Sequence, residues 1–349
     1  VGSEMCIRDR YEVLQTLTVV NKGPGQPRKH NIWVALIQDV LPYQTVRSME
    51  ISPDTYQFTT DEHGNQYAEF DLADMPPGTT IPIQIQYRVA VNELIYDLSP
   101  CQGDVPTAFD QPELHIESSN PQLVELANRL SKGQRTACKQ VRAFYDFVGD
   151  SLVYSYNGEN WGAQAALGPM GADCTEYASL MIALSRASGI PARYLEGLRV
   201  LGEDIEEDAR TEHAWLEVYL PGNGWAPMDP SLGRSSLSRE KHFAHFTPDH
   251  IIVTIGRNPS TLRGASYWTH LYWPGNSTEI RIEDSGWTIT PLLADAGGFP
   301  KSGGLDPTGK VLWISPSRRE GDIVARTDAY AILRRRMACM ETDRMMIRP

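Results

Sequence analysis

Three residues of this chain have types that together could do covalent chemistry: Cys174, His213 and Asp229. A thiolate attacks carbonyls when a base or cation stands beside it, and that partner works best when a third group fixes its tautomer. Cys174 lies in GADCTEYASLMIALSRASGIPAR, where a well-marked helix begins. Asp173 can act as its N-cap, and Glu176, three residues on, can close a capping box. Cys174 then takes the first helical position, where unpaired N–H groups and the positive dipole end favour an anion, here the thiolate. His213 sits in TEHAWLEVYL and shares one strand face with Trp215, Glu217 and Tyr219. Asp229, in WAPMDP, follows 16 residues later. An even separation lets the two face each other across an antiparallel pair, with the pairing pivot at Pro221, the first residue of the PGNG turn. That pivot is about one residue off the centre of the turn, which predicts a bulge or irregular loop there.

Each member also has a bland alternative. A cysteine at a helix start often only packs, a lone strand histidine is usually a satisfied core or surface residue, and Asp before Pro commonly forms a turn. Their order and joint context favour the chemical reading. A developing oxyanion needs donors; one is expected to be the Cys174 backbone N–H, and Gln164 and Trp161 are candidates for the other, with packing as their alternative. His242, His245 and His250 in HFAHFTPDH fit no metal spacing well and read as structure beside the site or as lining of a cleft.

The elements that must position these residues can be read from periodicity. IPIQIQYRVAV alternates so that Ile81, Ile83, Ile85, Tyr87, Val89 and Val91 share a face, and YEVLQTLTVV and NIWVALI are further strands. Several short strands separated by turn signals predict a β-sandwich over 11–98. A Pro-, Ser- and Gly-containing linker over 99–112 follows. Asn120 and Pro121 predict the start of one helix, and a second spans about 135–149. The Cys174 helix is apolar around most of its circumference, as expected of a centrally buried element, and ends at Gly189-Ile190-Pro191. ARYLEGLRV, EHAWLEVYL and WAPMDP then predict an antiparallel sheet, and residues 266–290 a final strand pair packed on the core. The fold class is α+β: an N-terminal β-sandwich over 11–98 and a catalytic domain over 113–292.

Composition excludes some partners. At 349 residues, with 41% hydrophobic and 22% charged residues, the chain is ordinary for globular protein. A net charge of -12 argues against nucleic acid or anionic lipid, and no apolar run approaches the ~18 residues of a membrane span. Five cysteines show no CxxC pair and no zinc-type spacing, so neither a metal nor another cofactor is expected. A single Cys101–Cys138 bridge stays open, while Cys138, at helical spacing with Val141, Tyr145 and Val148, reads most economically as a core thiol. Residues 1–10, VGSEMCIRDR, resemble a translated sequencing-adapter artefact, so a genuine start with any signal peptide is expected to be missing. Residues 293–349, which end in an Arg- and Met-rich stretch, read as a low-order tail. Compartment and oligomeric state are not encoded legibly.

DCTEYASLMIALSRASGIPAR and HAWLEVYLPGNGWAPMDPS resemble the two signature blocks of the transglutaminase-like superfamily, over roughly Pro121 to Asp229 and including WGAQAAL. LPYQ at 41–44 and DEHGN at 61–65 are similar to the N-terminal domain of some bacterial members. The resemblance implies a papain-like core whose central helix packs on an antiparallel sheet. It also implies Cys174 as nucleophile, His213 as general base and acid, and Asp229 as the orienting carboxylate. The implied activity is acyl transfer from a peptide or protein substrate through a thioester, protease-like and hydrolytic. Cross-linking by protein-glutamine gamma-glutamyl transfer is the alternative enzyme, and a non-catalytic binding or interaction module the alternative class.

Overall fold

The computed structural model describes residues 8–98, 101–156, 161–201, 211–257, 267–273 and 277–292. The expectations for 1–7 and 293–349 lie outside these residues. Residues 8–10 lie inside them and open the first strand.

The N-terminal half alternates as its sequence does. Strands β1 (Arg8–Asn21), β3 (Gln44–Ser52) and β6 (Thr80–Asn92) form one sheet, and β2 (Lys29–Ala35), β4 (Gln57–Thr60) and β5 (Gln66–Asp71) form another. In β6 the side chains of Ile83, Ile85, Tyr87 and Val89 are buried while Gln84, Gln86 and Arg88 are exposed, the pattern of a sheet with one wet face. The outer edges of β1 and β2 are covered by strands that follow the second half in sequence. β14 (Ile280–Pro291) pairs with β1, and β13 (Trp268–Trp273) pairs with β2. The strand pair expected on the catalytic core therefore belongs to the sandwich. Its alternation marks a half-buried strand but not which sheet edge receives it, and β1 and β2 both offer unpaired edge groups.

The second half is built around α3 (Cys174–Ala187), with α1 (Pro121–Ser131) and α2 (Ala137–Ser151) packed beside it. Asp173 accepts from the Thr175 N–H and Glu176 returns to the Asp173 N–H, so the expected capping box is present. Residues Glu176 to Arg186 are all buried. At the other end Gly189, with φ of 71°, takes the left-handed position that glycine favours, and the Ile190 N–H closes on the Ser185 carbonyl. α3 lies on an antiparallel sheet ordered β10 (Gly224–Met228), β9 (Glu212–Leu220), β8 (Ala192–Arg199) and β12 (His250–Ile255). The fold is thus α+β, a β-sandwich and a papain-like core. Between them, β7 (Leu94–Ile95) pairs with β11 (His245–Phe246).

Cys101 and Cys138 form a disulfide with Cα atoms 6.0 Å apart, within the span that a bridge requires. Cys138 is therefore bonded as well as buried, rather than a free core thiol. Helical spacing could place it in the core but could not show that the segment after β7 returns to the first turn of α2.

β12 is an edge strand of the core sheet, and two side-chain amides of the sandwich cover it. Gln44 donates to the Ile252 carbonyl at 2.8 Å and accepts from the Ile252 N–H at 2.7 Å. Asn65 does the same to Ile255, at 2.9 and 2.8 Å. These are the last residues of LPYQ and DEHGN, so both motifs serve to dock the sandwich on the core. Tyr43 of the first motif donates to buried Glu217 on β9.

Candidate active site

Cys174 is half-buried at the first position of α3, and among the described residues it is the one free cysteine. The Cys174 sulfur lies near enough to the His213 ring to favour its cation. His213 Nε2 meets Asp229 Oδ2 at 2.6 Å, which leaves the other ring nitrogen for the sulfur. Both His213 and Asp229 are more than nine-tenths buried. The three residues named from the sequence are therefore brought together.

Their register differs from the expected one. β10 pairs with β9 without a bulge, from Gly224 opposite Leu220 to Met228 opposite Leu216. Continued by one step, this places Asp229 opposite Trp215, two residues from His213. The contact is diagonal, and a 2.6 Å hydrogen bond spans it because both side chains point to the same side of the sheet. The short loop 221–223 replaces the predicted irregularity, with Gly222 and Gly224 at positive φ.

The Asp229 carboxylate is heavily bound. Oδ1 accepts from the Ser231 N–H at 3.0 Å, the Ser231 hydroxyl at 2.7 Å and the Leu232 N–H at 3.0 Å. Oδ2 faces His213 and also His250 Nε2, at 3.4 Å. The backbone is held too: the Asp229 N–H donates to the His242 carbonyl, and the Tyr145 hydroxyl donates to the Asp229 carbonyl at 3.2 Å. Burial opposes the carboxylate charge, but His213 and the bond to His250 outweigh it and hold the group well below the usual carboxylate range. Burial likewise opposes the imidazolium of His213. The charge and hydrogen bond of Asp229, with Cys174 adding to them, outweigh that cost and push the ring up to about 10. Trp215 stacks beside His213, with ring centroids 5.8 Å apart and an interplanar angle of 19°.

Of the loose histidine cluster, His250 and His242 are buried next to Asp229, while His245 turns to Glu93 at 2.8 Å. Burial and nearby His250 push His242 down to about 4 despite Asp229. Among the described residues, the ligand atoms of His213, Asp229 and His250 all lie within 4.8 Å of one another. Two ligands each ~2.0–2.1 Å from a tetrahedral zinc would stand roughly 3.3 Å apart. At 2.6 Å, the His213–Asp229 contact is a hydrogen-bond distance, shorter than that separation.

The two oxyanion candidates precede α3. The Gln164 N–H donates to Glu117 at 3.2 Å, and its side chain is exposed. Trp161 is about half exposed and meets the His115 ring edge-on at 5.9 Å. The short 3-10 turn Ala165–Leu167 after them packs against α3. Sequence reasoning did not single out Tyr154. Burial, then the nearby Cys174 and Asp173 charges, hold its hydroxyl above the ordinary tyrosine range, and Arg234 lies 4.6 Å over its ring. No periodic signal marks that residue, because it sits on a loop.

The sequence profile of the transglutaminase-like superfamily matches residues 124–230, a span that contains all three site residues. The uncharacterized protein YebA of Bacillus subtilis is 25% identical over 171 residues, covering 42% of this chain and 23% of that protein. A protein-glutamine gamma-glutamyltransferase of Pseudomonas aeruginosa is 26% identical over 144 residues, covering 39% of this chain and 21% of that protein. The chain thus spans under a quarter of the length of these curated relatives. In structure it is similar to a proposed cysteine protease from Cytophaga hutchinsonii, with a TM-score of 0.60 and 16% identity over 84% of this chain and 96% of that one; a likeness at that identity speaks to the fold alone. No helix among the described residues is long and apolar enough to cross a membrane.

Proposed function

We propose, from the premise that residues 124–230 belong to the transglutaminase-like superfamily, that this chain is a cysteine-dependent acyl-transfer enzyme that hydrolyses peptide or amide bonds. One observation carries the reading: the His213 ring, bonded to the Asp229 carboxylate at 2.6 Å, lies beside Cys174 at the first position of a buried helix.

In the first half-reaction the Cys174 thiolate attacks the carbonyl carbon. The C–N bond breaks as the His213 imidazolium gives its proton to the departing nitrogen, and the acyl group remains as a thioester. His213, now neutral, takes a proton from water as the water oxygen attacks that thioester. The C–S bond breaks, an acid leaves, and the thiolate–imidazolium pair is restored. Asp229 keeps the ring oriented and favours its cation through both steps. The Cys174 backbone N–H at the open helix end is one donor for the oxyanion, and Gln164 or Trp161 is the proposed second.

Water needs no cleft of its own beyond the reach of His213, which makes hydrolysis the simplest outcome of this chemistry. The name of the Pseudomonas aeruginosa relative favours a second reading, in which an amine replaces water and a cross-link forms. Two measurements test these readings. Iodoacetamide should alkylate Cys174 at neutral pH at least about tenfold faster than a free thiol, and His213→Ala should abolish the difference. Equal rates in wild type and variant would remove the enzyme reading. A glutamine peptide offered with and without a primary amine then separates the chemistries: acid as the product in both supports hydrolysis, and an amide formed with the amine supports transfer.

A further inference from the structure

His250 is a buried titratable residue that the reaction above does not use. It opens β12, is 2% exposed, and presents each ring nitrogen to a carboxylate. Nε2 faces Asp229 Oδ2 at 3.4 Å, and Nδ1 faces Asp249 Oδ1 at 3.0 Å with the Thr247 hydroxyl at 2.9 Å. A neutral imidazole has one N–H and could donate to only one of the two carboxylates; the cation satisfies both. Its ring stands edge-on to Trp215 at 4.9 Å, and the same indole stacks on His213. The two imidazoles are 5.7 Å apart and share one carboxylate oxygen.

We propose that His250 is a positioning residue of this site: a second imidazole, held as its cation, that draws on the Asp229 carboxylate and so limits how tightly Asp229 holds His213 as an imidazolium. This rests on the reading of Cys174, His213 and Asp229 as the reacting set. Deacylation needs His213 neutral to accept a proton from water, so an undivided carboxylate, by making the ring more basic still, would slow that step. The role is electrostatic more than mechanical, because three donors already pin Asp229 through Oδ1. The groups that set the His250 charge come from every side. Asp229 follows β10, and Asp249 precedes β12. His213 lies on β9, His242 in the turn before β11, and Arg199 opposite on β8. Lys241 and, from the sandwich, Tyr11 act on Asp249. Two carboxylates in direct contact favour the cation against the more distant positive groups.

The test uses the full chain and p-nitrophenyl acetate as probe, with the acylation burst and the steady-state rate followed across pH. His250→Phe keeps a ring of similar size without donors or charge, and His250→Gln keeps a donor without charge. The burst should stay within about threefold of wild type in both variants. Steady-state deacylation at neutral pH should fall by about tenfold in His250→Phe, and the acid limb, on which the rate rises with pH, should move up by about one pH unit. His250→Gln should show the same direction, since it too lacks the charge. A deacylation profile superimposable on wild type, or one shifted to lower pH, overturns the proposal. If the phenylalanine variant fails to fold, the glutamine variant decides alone. Absence of any burst in wild type, with Cys174→Ser no different, would instead remove the underlying reading of the site.

Discussion

Glu176 carries two demands at once: its Oε2 accepts from the Asp173 N–H in the capping box, while its Oε1 is buried without a hydrogen-bond partner. Burial, reinforced by the Asp173 charge, pushes its carboxyl up to about 7. A carboxyl whose folded pKa is raised binds its proton more tightly folded than unfolded, so stability falls as pH rises from the ordinary carboxylate range through about 7. Glu176→Gln keeps the capping acceptor and removes that charge. The variant should gain on wild type between about pH 5 and 8, by up to roughly 3 kcal/mol, in denaturant unfolding at the two pH values. Parallel stability profiles would contradict the account. Across the site, the residues that local rules could reach were legible: Asp173 and Glu176 announced the helix start, and the helix start singled out Cys174. His250 was visible only as one of three histidines, because nothing in HFAHFTPDH tells which ring turns toward Asp229.

Among the elements, β8 meets both of its neighbours at Gly197, which pairs with His213 on β9 and with Ile252 on β12. A Cβ built there would run into the Ile251 carbonyl oxygen and come within 2.8 Å of the Trp215 ring. Backbone cannot yield as a flexible side-chain tip does, so overpacking here must push β12 away or tilt the indole. Gly197→Ala should cost roughly 2–4 kcal/mol in urea unfolding and slow Cys174 alkylation, since Trp215 stacks on His213 and β12 carries His250. A variant as stable and as reactive as wild type would show that the sheet relaxes freely at this point. Strand identity was readable from alternation in EHAWLEVYL, but register was not. Parity places His213 and Asp229 on one face equally well for a direct or a diagonal pair, and the pairing pivots at Gly222, one residue from the expected Pro221, which moves the partner of Asp229 by two.

For the molecule as a whole, the sandwich is coupled to the site through the edge of β12. Gln44 and Asn65 are buried, and each satisfies one N–H and one carbonyl of that strand. Removing either leaves two buried backbone groups without partners, at about 1–3 kcal/mol apiece. Gln44→Ala and Asn65→Ala should therefore each lower unfolding stability by a few kcal/mol. Each should also raise hydrogen exchange at Ile252 or Ile255 respectively. Unchanged exchange at both positions would mean that the sandwich is not what holds β12 in place. Strands β13 and β14 extend the same coupling: they follow the core in sequence, yet complete the sheets that dock on it.

What this sequence determined by itself is short-range. Hydrogen bonds within four residues and hydrophobic periods of two and 3.6 specify caps, helices and strand faces, so α3, its capping box and the alternation of β6 were legible residue by residue. Tertiary structure alone decided the long-range closures. It joined Cys101 to Cys138, sent β13 and β14 to the sandwich, and set the diagonal register of Asp229 and His213. It also brought His250 to the carboxylate oxygen that His213 meets. The physical reason is that a period names the face a side chain takes but not the partner it meets. Partners follow from which sheet edges remain to be covered and which buried polar groups remain to be paired, and only the assembled fold settles both.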